Sequence, residues 1–346
     1  MAVTRLQDVI VPEQFETFMA QNTKISTALL DNGVIESNPV LQNQLSTGGN
    51  IVNIPAWLDV VSPENVDVDP NVSSDDPSVQ ATPNAIKAVD FVSRISYLNN
   101  SWGAASLAGT LAGSDPMQRV AERVAAYWKN VYNRRLIASL YGIMLSNVAN
   151  SDGDMTVDLT AASSGSPVVI NGTSYTSGTI QRNAVVDAAF TMGDRSSDIG
   201  AIGMSSAVYR DCVKNNEIEF IRDSENDLMF PTYAGKAVFQ DDGLALNNGN
   251  HLVVLFGQGS VAFVEGPTSR NVPLETYRYP LAGNGAGSEI LVSRRDSIVA
   301  PYGWSFNSAS VSLPSPVLAD LSNPVNWKRV SPERKQCPIA FLLVKA

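Results

Sequence analysis

The side chains best suited to catalysis are few in this sequence and lie far apart. His251 is the only histidine among the 346 residues, which excludes a histidine-rich metal site. A Ser-His-Asp triad would have to use His251, and no G-x-S-x-G turn accompanies it. We therefore interpret His251 as a structural residue, either satisfied in the core or exposed.

A glycine-containing segment superficially matches a dinucleotide-binding fingerprint. Residues 257–262 read GQGSVA and follow the apolar run LVVLF. The fingerprint needs a helix directly after its glycines, and residues 263–267, FVEGP, leave no room for one. We therefore predict a turn at this position and no nucleotide cofactor.

Acidic residues suggest two further kinds of site, and neither is complete. Asp152, Asp154 and Asp158 resemble the start of a calcium loop, but Val157 stands where that loop requires glycine. The acid pair at 241–242 would need a second carboxylate opposite it to act as a glycosidase, and no second pair lies near it in sequence. We predict no catalytic, cofactor-binding or metal-binding residue.

Composition describes a folded, acidic chain with a low density of charge. Hydrophobic residues make up 44% and charged residues 17%, and the net charge is −10, which argues against a protein that grips nucleic acid by its phosphates. Cys212 and Cys337 are isolated, so we expect buried free thiols in a reducing compartment. The first residues lack the pattern of a signal peptide, and no run approaches the ~18 apolar residues of a membrane span.

The longest regular pattern runs from residue 114 to 147 and predicts one long amphipathic helix. Ser114 suits the N-cap, with Asp115 and Pro116 in the first turn. Apolar side chains then recur every three or four residues, at Ala121, Ala125, Trp128, Tyr132, Leu136, Leu140 and Ile143. Such a helix would reach about 48 Å, which indicates a spine on which the other elements pack.

The chain before this spine predicts an arm and a two-stranded hairpin. Residues 1–45 hold too few apolar residues for a core of their own. The segment NIVNIPAWLDVV and the alternating residues 87–97 predict two strands, joined by a Pro- and Asp-rich loop at 62–84. A two-stranded hairpin is only marginally stable alone, so we expect it to lie on another surface. Residues 99–113 read as a connection to the spine.

The chain after the spine predicts an α/β lobe and then returning strands. The expected elements are a hairpin at Asn171-Gly172, a helix over 182–192, a strand over 199–204, a helix capped by Ser205 or Ser206, strands over 236–239 and 252–256, strands over 274–279 and 289–299, a short helix near 317–321 and a final strand, PIAFLLV. The last two long strands and the tail are expected beside the spine.

In this order the parts resemble the major capsid protein of tailed bacteriophages, whose Hong Kong 97-type fold is shared with encapsulins. The local matches are TRLQDVIVPE, LFGQGSVAFVEG, PLAGNGAGSEILVSRRDSIVAPYGWSF and ADLSNPVNWKRVSPERKQCPIAFLLV. The resemblance implies an α+β fold with these parts: an N-terminal arm at 1–45, an extended loop hairpin at 46–98, a peripheral domain at 99–180 with the spine helix at 114–147, an α/β axial domain at 181–270, and peripheral return strands with a C-terminal segment at 271–346.

The same resemblance implies a structural function. The protein would self-assemble, through pentamers and hexamers, into the icosahedral shell that encloses a double-stranded DNA genome, without enzymatic activity, cofactors or sequence-specific DNA binding. It would be found in the virion after assembly in the cytoplasm of the host bacterium. The implied partners are further copies of itself, a separate scaffolding protein (because no long helical segment precedes the arm), a portal and decoration proteins; no membrane is implied.

Two alternatives stay open at this point. An encapsulin-like bacterial compartment would share the fold and enclose protein cargo. A carbohydrate-acting phage or secreted enzyme, from a different class, would need clustered carboxylates in a cleft.

Charge segregation predicts where subunits touch. Residues 25–86 contain eight acids and no Lys or Arg, whereas residues 87–146 contain seven basic and three acidic residues, a net charge of +4. We predict that the acidic hairpin of one subunit lies against the basic spine surface of another. The contact candidates are Asp67, Asp69, Asp75, Asp76, Arg119, Arg123 and Arg134. The alternative is that the acids only solvate a loop or linker.

Overall fold

The computed structural model describes residues 35–36, 39–47, 49–57, 73, 75–80, 88–112, 116–222, 228–267, 272–331 and 333–346. Several expectations fall outside these residues. They are the short helices of the arm, the Ser114 cap, and Asp67 and Asp69 in the hairpin loop.

The described residues contain six α-helices, numbered here in chain order. They are α1 (Pro39–Thr47), α2 (Ser106–Ala112), α3 (Pro116–Asn150), α4 (Arg182–Phe190), α5 (Ser206–Lys214) and α6 (Leu318–Ser322). Short 3-10 turns accompany them at Gly193–Asp198, Asp242–Leu244, Asn247–Gly249, Pro324–Asn326 and Arg334–Gln336.

The strands are likewise numbered in chain order. They are β1 (Ile35–Glu36), β2 (Ile51–Trp57), β3 (Ala88–Ala105), β4 (Thr156–Asp158), β5 (Val168–Ile170), β6 (Thr173–Tyr175), β7 (Ile199–Met204), β8 (Ile218–Arg222), β9 (Leu228–Tyr233), β10 (Lys236–Gln240), β11 (Asn250–Gly257), β12 (Val261–Pro267), β13 (Leu274–Tyr279), β14 (Ser288–Pro301), β15 (Trp304–Phe306), β16 (Trp327–Arg329) and β17 (Ile339–Lys345).

The first large sheet holds the hairpin and the long returning strand. Its order is β1-β12-β14-β3-β2, with β13 beside the first half of β14. Strands β2 and β3 pair antiparallel, with Ile51 opposite Arg94 and Trp57 opposite Ala88, so the predicted pairing of the hairpin strands is confirmed. Ser305 of β15 fixes the hairpin to the body, because its hydroxyl accepts from Val92 N at 2.9 Å and donates to Asp90 O at 3.2 Å.

The second large sheet is the centre of the α/β lobe. Its order is β4-β17-β11-β7-β10-β9-β8, and only the β17–β4 and β10–β7 pairs are parallel. Every residue from His251 to Gly257 of β11 is buried, as the continuous apolar run in this strand predicts for the middle of a covered sheet. Helices α4 and α5 cover one face, and α3 covers the other.

The spine helix α3 spans both sheets, and its prediction from periodicity is confirmed over Pro116–Asn150. Its first half packs through Val124, Trp128 and Tyr132 on β12 and β14 of the first sheet. Its second half packs through side chains such as Leu140 and Ile143 on the face of the second sheet. Because one helix contributes to both cores, the two sheets are held as parts of one body.

The structure corrects three expectations about where segments belong. The final strand, expected with the returning strands, lies between β4 and β11 in the second sheet, where it still packs beside the spine. Strand β12, expected within the 181–270 lobe, pairs with β14 in the first sheet. Both strands are placed by pairing with distant residues, which local sequence patterns do not encode.

The third correction concerns the expected connection at 99–113. Strand β3 continues to Ala105 because residues up to that point pair with β14, and helix α2 follows at once. The polar residues Asn99, Asn100 and Ser101 gave this strand the appearance of a loop.

Candidate assembly surfaces

The only histidine lies in a structural hydrogen bond. Ser205 is the N-cap of α5, and its hydroxyl lies 2.7 Å from Nδ1 of His251 on β11. Both residues are buried, and burial lowers the pKa of His251 below its ordinary value. Asp242 holds the same end of the helix, because its carboxylate accepts from the backbone N–H of Ser206 at 2.9 Å. The arrangement caps a helix.

The acids considered as possible sites also hold the fold together. Asp241 is buried and accepts a hydrogen bond from Asn133 of α3 at 2.6 Å. Asp154 accepts from Asn147 at 2.7 Å and forms an ion pair with Arg329 at 2.6 Å. In the part of the chain that the structure describes, no group of three or more His, Cys, Asp or Glu side chains could hold a metal ion.

The glycine-containing turn at 257–260 lies between two strands. The chain passes from β11 through this turn directly into β12, as the sequence predicts.

Among the described residues, no helix is both long and apolar enough to cross a membrane.

The structure places five of the seven contact candidates, two acids in a turn within residues 75–80 and three arginines on α3. Asp75 and Asp76 lie in an exposed turn over residues 75–80. Asp76 accepts from the backbone N–H and the hydroxyl of Ser78, at 2.9 and 2.7 Å, which holds the pKa of its carboxyl below the ordinary value.

The three arginine candidates occupy different positions on α3. Arg119 and Arg123 are exposed near its start, and Arg119 already forms an ion pair with Glu122 at 3.3 Å. Such an exposed pair contributes typically about 0–1 kcal/mol. Arg134 is exposed farther along the helix, where it lines a groove.

This groove, called here the spine groove, has both apolar and cationic walls. It encloses about 880 Å³ between β3, α3 and the segment 313–319. Its lining residues are Tyr97, Leu98, Asn99, Tyr127, Val131, Arg134, Arg135 and residues 313–319. These described lining residues include two guanidinium groups and no carboxylate.

Arg135 is the residue that sequence analysis missed. It is only 4% exposed, and its Nη2 donates to Ser96 Oγ at 2.6 Å and to Pro316 O at 3.0 Å. A signal was present, because residue 135 is three positions after Tyr132 and seven after Trp128, on the buried stripe of the helix. A charged residue on that stripe indicates a specific buried role.

The segment 313–319 is held against β3 by polar contacts, so the wall of the spine groove is preformed. Arg94 donates from Nη2 to Leu313 O at 2.8 Å and to Pro314 O at 3.0 Å. The backbone N–H of Tyr97 donates to Ser315 Oγ at 2.9 Å. These contacts join residues more than 200 positions apart in sequence.

Comparison with known proteins finds one informative sequence relative, and no family model matches the chain. The major capsid protein of Bacillus phage SPP1 is 33% identical over 344 residues, which cover 97% of this chain and 96% of the relative. Similarity of this extent over nearly the full length of both chains indicates a shared fold.

Comparison with solved structures agrees at the level of the fold. The capsid of Ralstonia phage GP4 matches with a TM-score of 0.55 and 11% identity, over 93% of this chain and 89% of that one. The capsid asymmetric unit of cyanophage Pam1 matches with a TM-score of 0.52 and 11% identity, over 90% and 88%. The α+β fold expected from the order of parts is confirmed.

Proposed function

The chain belongs to the major capsid proteins of tailed bacteriophages, and we propose that its arm and its hairpin join neighbouring copies into pentamers and hexamers of an icosahedral shell. As a major capsid protein it self-associates into a shell and is a component of the virion. The parts proposed to join subunits are the arm at 1–45 and the hairpin at 46–98, and the α/β lobe built on the second large sheet would lie around the capsomer axis.

The observation that carries the proposed joining role is the exposed face of β2. Ile51, Asn53, Pro55 and Trp57 alternate on one side of this strand and are all exposed. Trp57 is 76% exposed in the single chain, and Ile51 is 56% exposed. Large exposed apolar side chains on one face of a strand are typical of a surface that another chain covers.

The test compares two substitutions at Trp57. Trp57→Ser removes the apolar surface, and Trp57→Phe keeps most of it, while neither changes a buried contact. We expect Trp57→Ser to remain as unassembled subunits and Trp57→Phe to form particles, by light scattering after size exclusion and by negative-stain electron microscopy. Normal particles from Trp57→Ser would contradict the proposed role of this hairpin.

We propose the predicted charge contact as a second part of the same interface. The acids Asp67, Asp69, Asp75 and Asp76 of one subunit would face Arg119, Arg123 and Arg134 of a neighbour. The exposure of the five described candidates supports this proposal. High salt should slow assembly more than it dissociates finished shells, where apolar contacts dominate.

The remaining roles follow from family membership and are proposals. The shell would assemble in the cytoplasm of the host with a separate scaffolding protein and a portal, would accept decoration proteins outside, and would enclose DNA without reading its sequence. The net charge of −10 supports a weak contact with DNA. The similarity to a phage capsid protein favours this function over an encapsulin-like compartment.

We also propose that the chain has no catalytic activity. Ser205, His251, Asp241 and Asp242 each serve a structural hydrogen bond, which supports this proposal. A hydrolytic activity that purified particles show and that His251→Ala abolishes would contradict it.

A further inference from the structure

Arg135 is a buried cation without a carboxylate partner among the described residues. Its Nη2 donates to two neutral oxygens, and its Nε has no hydrogen-bond partner in the same part of the chain. The ion pairs between described residues do not include it. Burial lowers the pKa of Arg135 to about 10, which shows the cost of this position. A buried guanidinium in such surroundings is stabilised by an added anion.

Arg135 is one of the residues that line the spine groove, and the other lining residues indicate which kind of anion could bind beside it. Arg134 and Arg135 are the only charged side chains among its described lining residues, and the apolar wall includes Tyr127, Val131 and Leu313. A phosphate of double-stranded DNA is flanked by bulky sugars and brings no apolar group to the apolar wall, so DNA does not match this groove. A carboxylate carried by a turn that also has an exposed apolar residue offers a charge to the two arginines and an apolar contact to the wall.

The same protein carries a turn with this chemistry. In residues 75–80, Asp76 closes the turn by accepting from Ser78, and Asp75 and Val79 are both exposed. Val79 is 61% exposed in the single chain. The turn therefore combines a carboxylate with an apolar side chain and contains no base, and its charge is complementary to that of the groove.

We propose that the spine groove of one subunit binds the turn 75–80 of a second copy, with the carboxylate of Asp75 beside the guanidinium groups of Arg134 and Arg135 and with Val79 on the apolar wall. This inference rests on the proposed joining role of the hairpin and names its receptor. The groove and the turn are different surfaces of one chain, so the contact is heterologous and can repeat from subunit to subunit around a closed ring.

The test cross-links the two surfaces in assembled particles. One batch of protein carries Gln80→Cys, a second carries Ala319→Cys in the groove wall, and the two are mixed before assembly and treated with a short bis-maleimide. Because each chain carries one added thiol, a dimer joining the two variants is intermolecular. Cys212 and Cys337 are buried and remain as they are. The matched control replaces Ala319→Cys with Val169→Cys, at a position that is 65% exposed on β5.

We expect a cross-linked dimer between Gln80→Cys and Ala319→Cys, and none between Gln80→Cys and Val169→Cys. Adding Asp75→Asn to the Gln80→Cys chain should lower the yield of the first dimer at least about tenfold. Asp75 lies in an exposed turn, so this variant tests the charge without risk to the fold, whereas Arg135→Gln also removes contacts to Ser96 and Pro316. Loss of the same dimer when the Ala319→Cys chain also carries Arg134→Gln would support the contact between Asp75 and Arg134.

The possible failures are distinguishable. Particles that form without the mixed dimer, or with a dimer that Asp75→Asn leaves unchanged, overturn this inference and leave the proposed assembly function standing. A second result would also overturn the inference. In it, no dimer forms, and acetate or chloride raises the unfolding temperature of the unassembled wild type but not that of Arg135→Gln. The groove would then bind a free anion. A wild-type chain that forms no particles under any assembly condition overturns both.

Discussion

The indole Nε1 of Trp327 donates a hydrogen bond to the carbonyl oxygen of Leu321 at 2.7 Å, and both groups lie directly over Gly142 of the spine helix. A Cβ at position 142 would lie 2.2 Å from the Leu321 oxygen and 2.6 Å from the indole nitrogen. The absence of a side chain at this helical position therefore permits α6 and β16 to approach the spine, and Ser146 adds a hydrogen bond to Trp327 O at 2.9 Å.

Gly142→Ala should destabilise the subunit although alanine favours helix more than glycine does. The new methyl group must push α6 and Trp327 away from the spine, and overpacking of this kind typically costs about 1–3 kcal/mol. Thermal unfolding by circular dichroism measures the effect. Gly200→Ala is the matched control, because a Cβ there meets nothing within 4 Å. Equal unfolding temperatures of the two variants would contradict the close approach.

Asn147→Leu should weaken the junction between the end of the spine and β4. The Asn147 side chain is fully buried, donates to Asp154, and accepts from Met155 N and Thr156 Oγ1, each at 3.1 Å. Leucine leaves these buried groups without their partner, at a cost of about 2 kcal/mol. Chemical denaturation measures the loss.

The control for that substitution is Asn150→Ala one turn later. Asn150 is exposed and makes a single 3.2 Å bond to Ser146. Its replacement should change stability by less than about 0.5 kcal/mol. A loss as large as that of Asn147→Leu would show that the helix end is sensitive in general.

His251 should make the lobe less stable in mild acid. Burial lowers its pKa, with Arg210 acting in the same direction and Asp211 and Asp242 opposing. Because the unfolded chain then binds the proton more readily, stability is retained above about pH 6.5 and is lost as the pH falls from there towards the folded pKa. We expect His251→Asn to be less stable than wild type at pH 7.5 and to lose less between pH 7.5 and 5.5. Parallel losses in both proteins, measured as unfolding temperatures, would show that His251 does not titrate in this way.

The fragment 181–270 should not fold by itself, although its sequence reads as a lobe. It lacks β17, so the buried strand β11 becomes an edge with its apolar residues uncovered. Calorimetry should show no cooperative transition. A longer fragment, residues 133–270 with residues 335–346 fused through a flexible linker, contains both β17 and the half of α3 that covers the other face, and it should show the transition. A cooperative transition without the fusion would show that β17 is dispensable.

Local patterns were sufficient for the elements whose burial repeats regularly. The period of α3 and the apolar run of β11 predicted those elements to within a few residues. Strands β8 and β9 gave no clear pattern, because IEFIR and LMFPTY mix charged, aromatic and proline residues. The candidate surface was predicted only in part. Arg134 was identified by its exposed position, whereas the buried neighbour Arg135 depends on contacts with Ser96 and Pro316, far away in sequence.

The late position of β17 in the sequence delays completion of the second sheet during synthesis. Strand β11 ends at Gly257, and the strand that covers it begins only at Ile339. At about 5–20 residues per second, a ribosome needs roughly 4–16 s to make the intervening segment, and β11 stays uncovered on that side throughout. High contact order slows the final closure further. Every copy of a protein made in the large numbers that a shell requires therefore exposes an apolar strand edge for seconds, and an exposed edge of this kind favours aggregation.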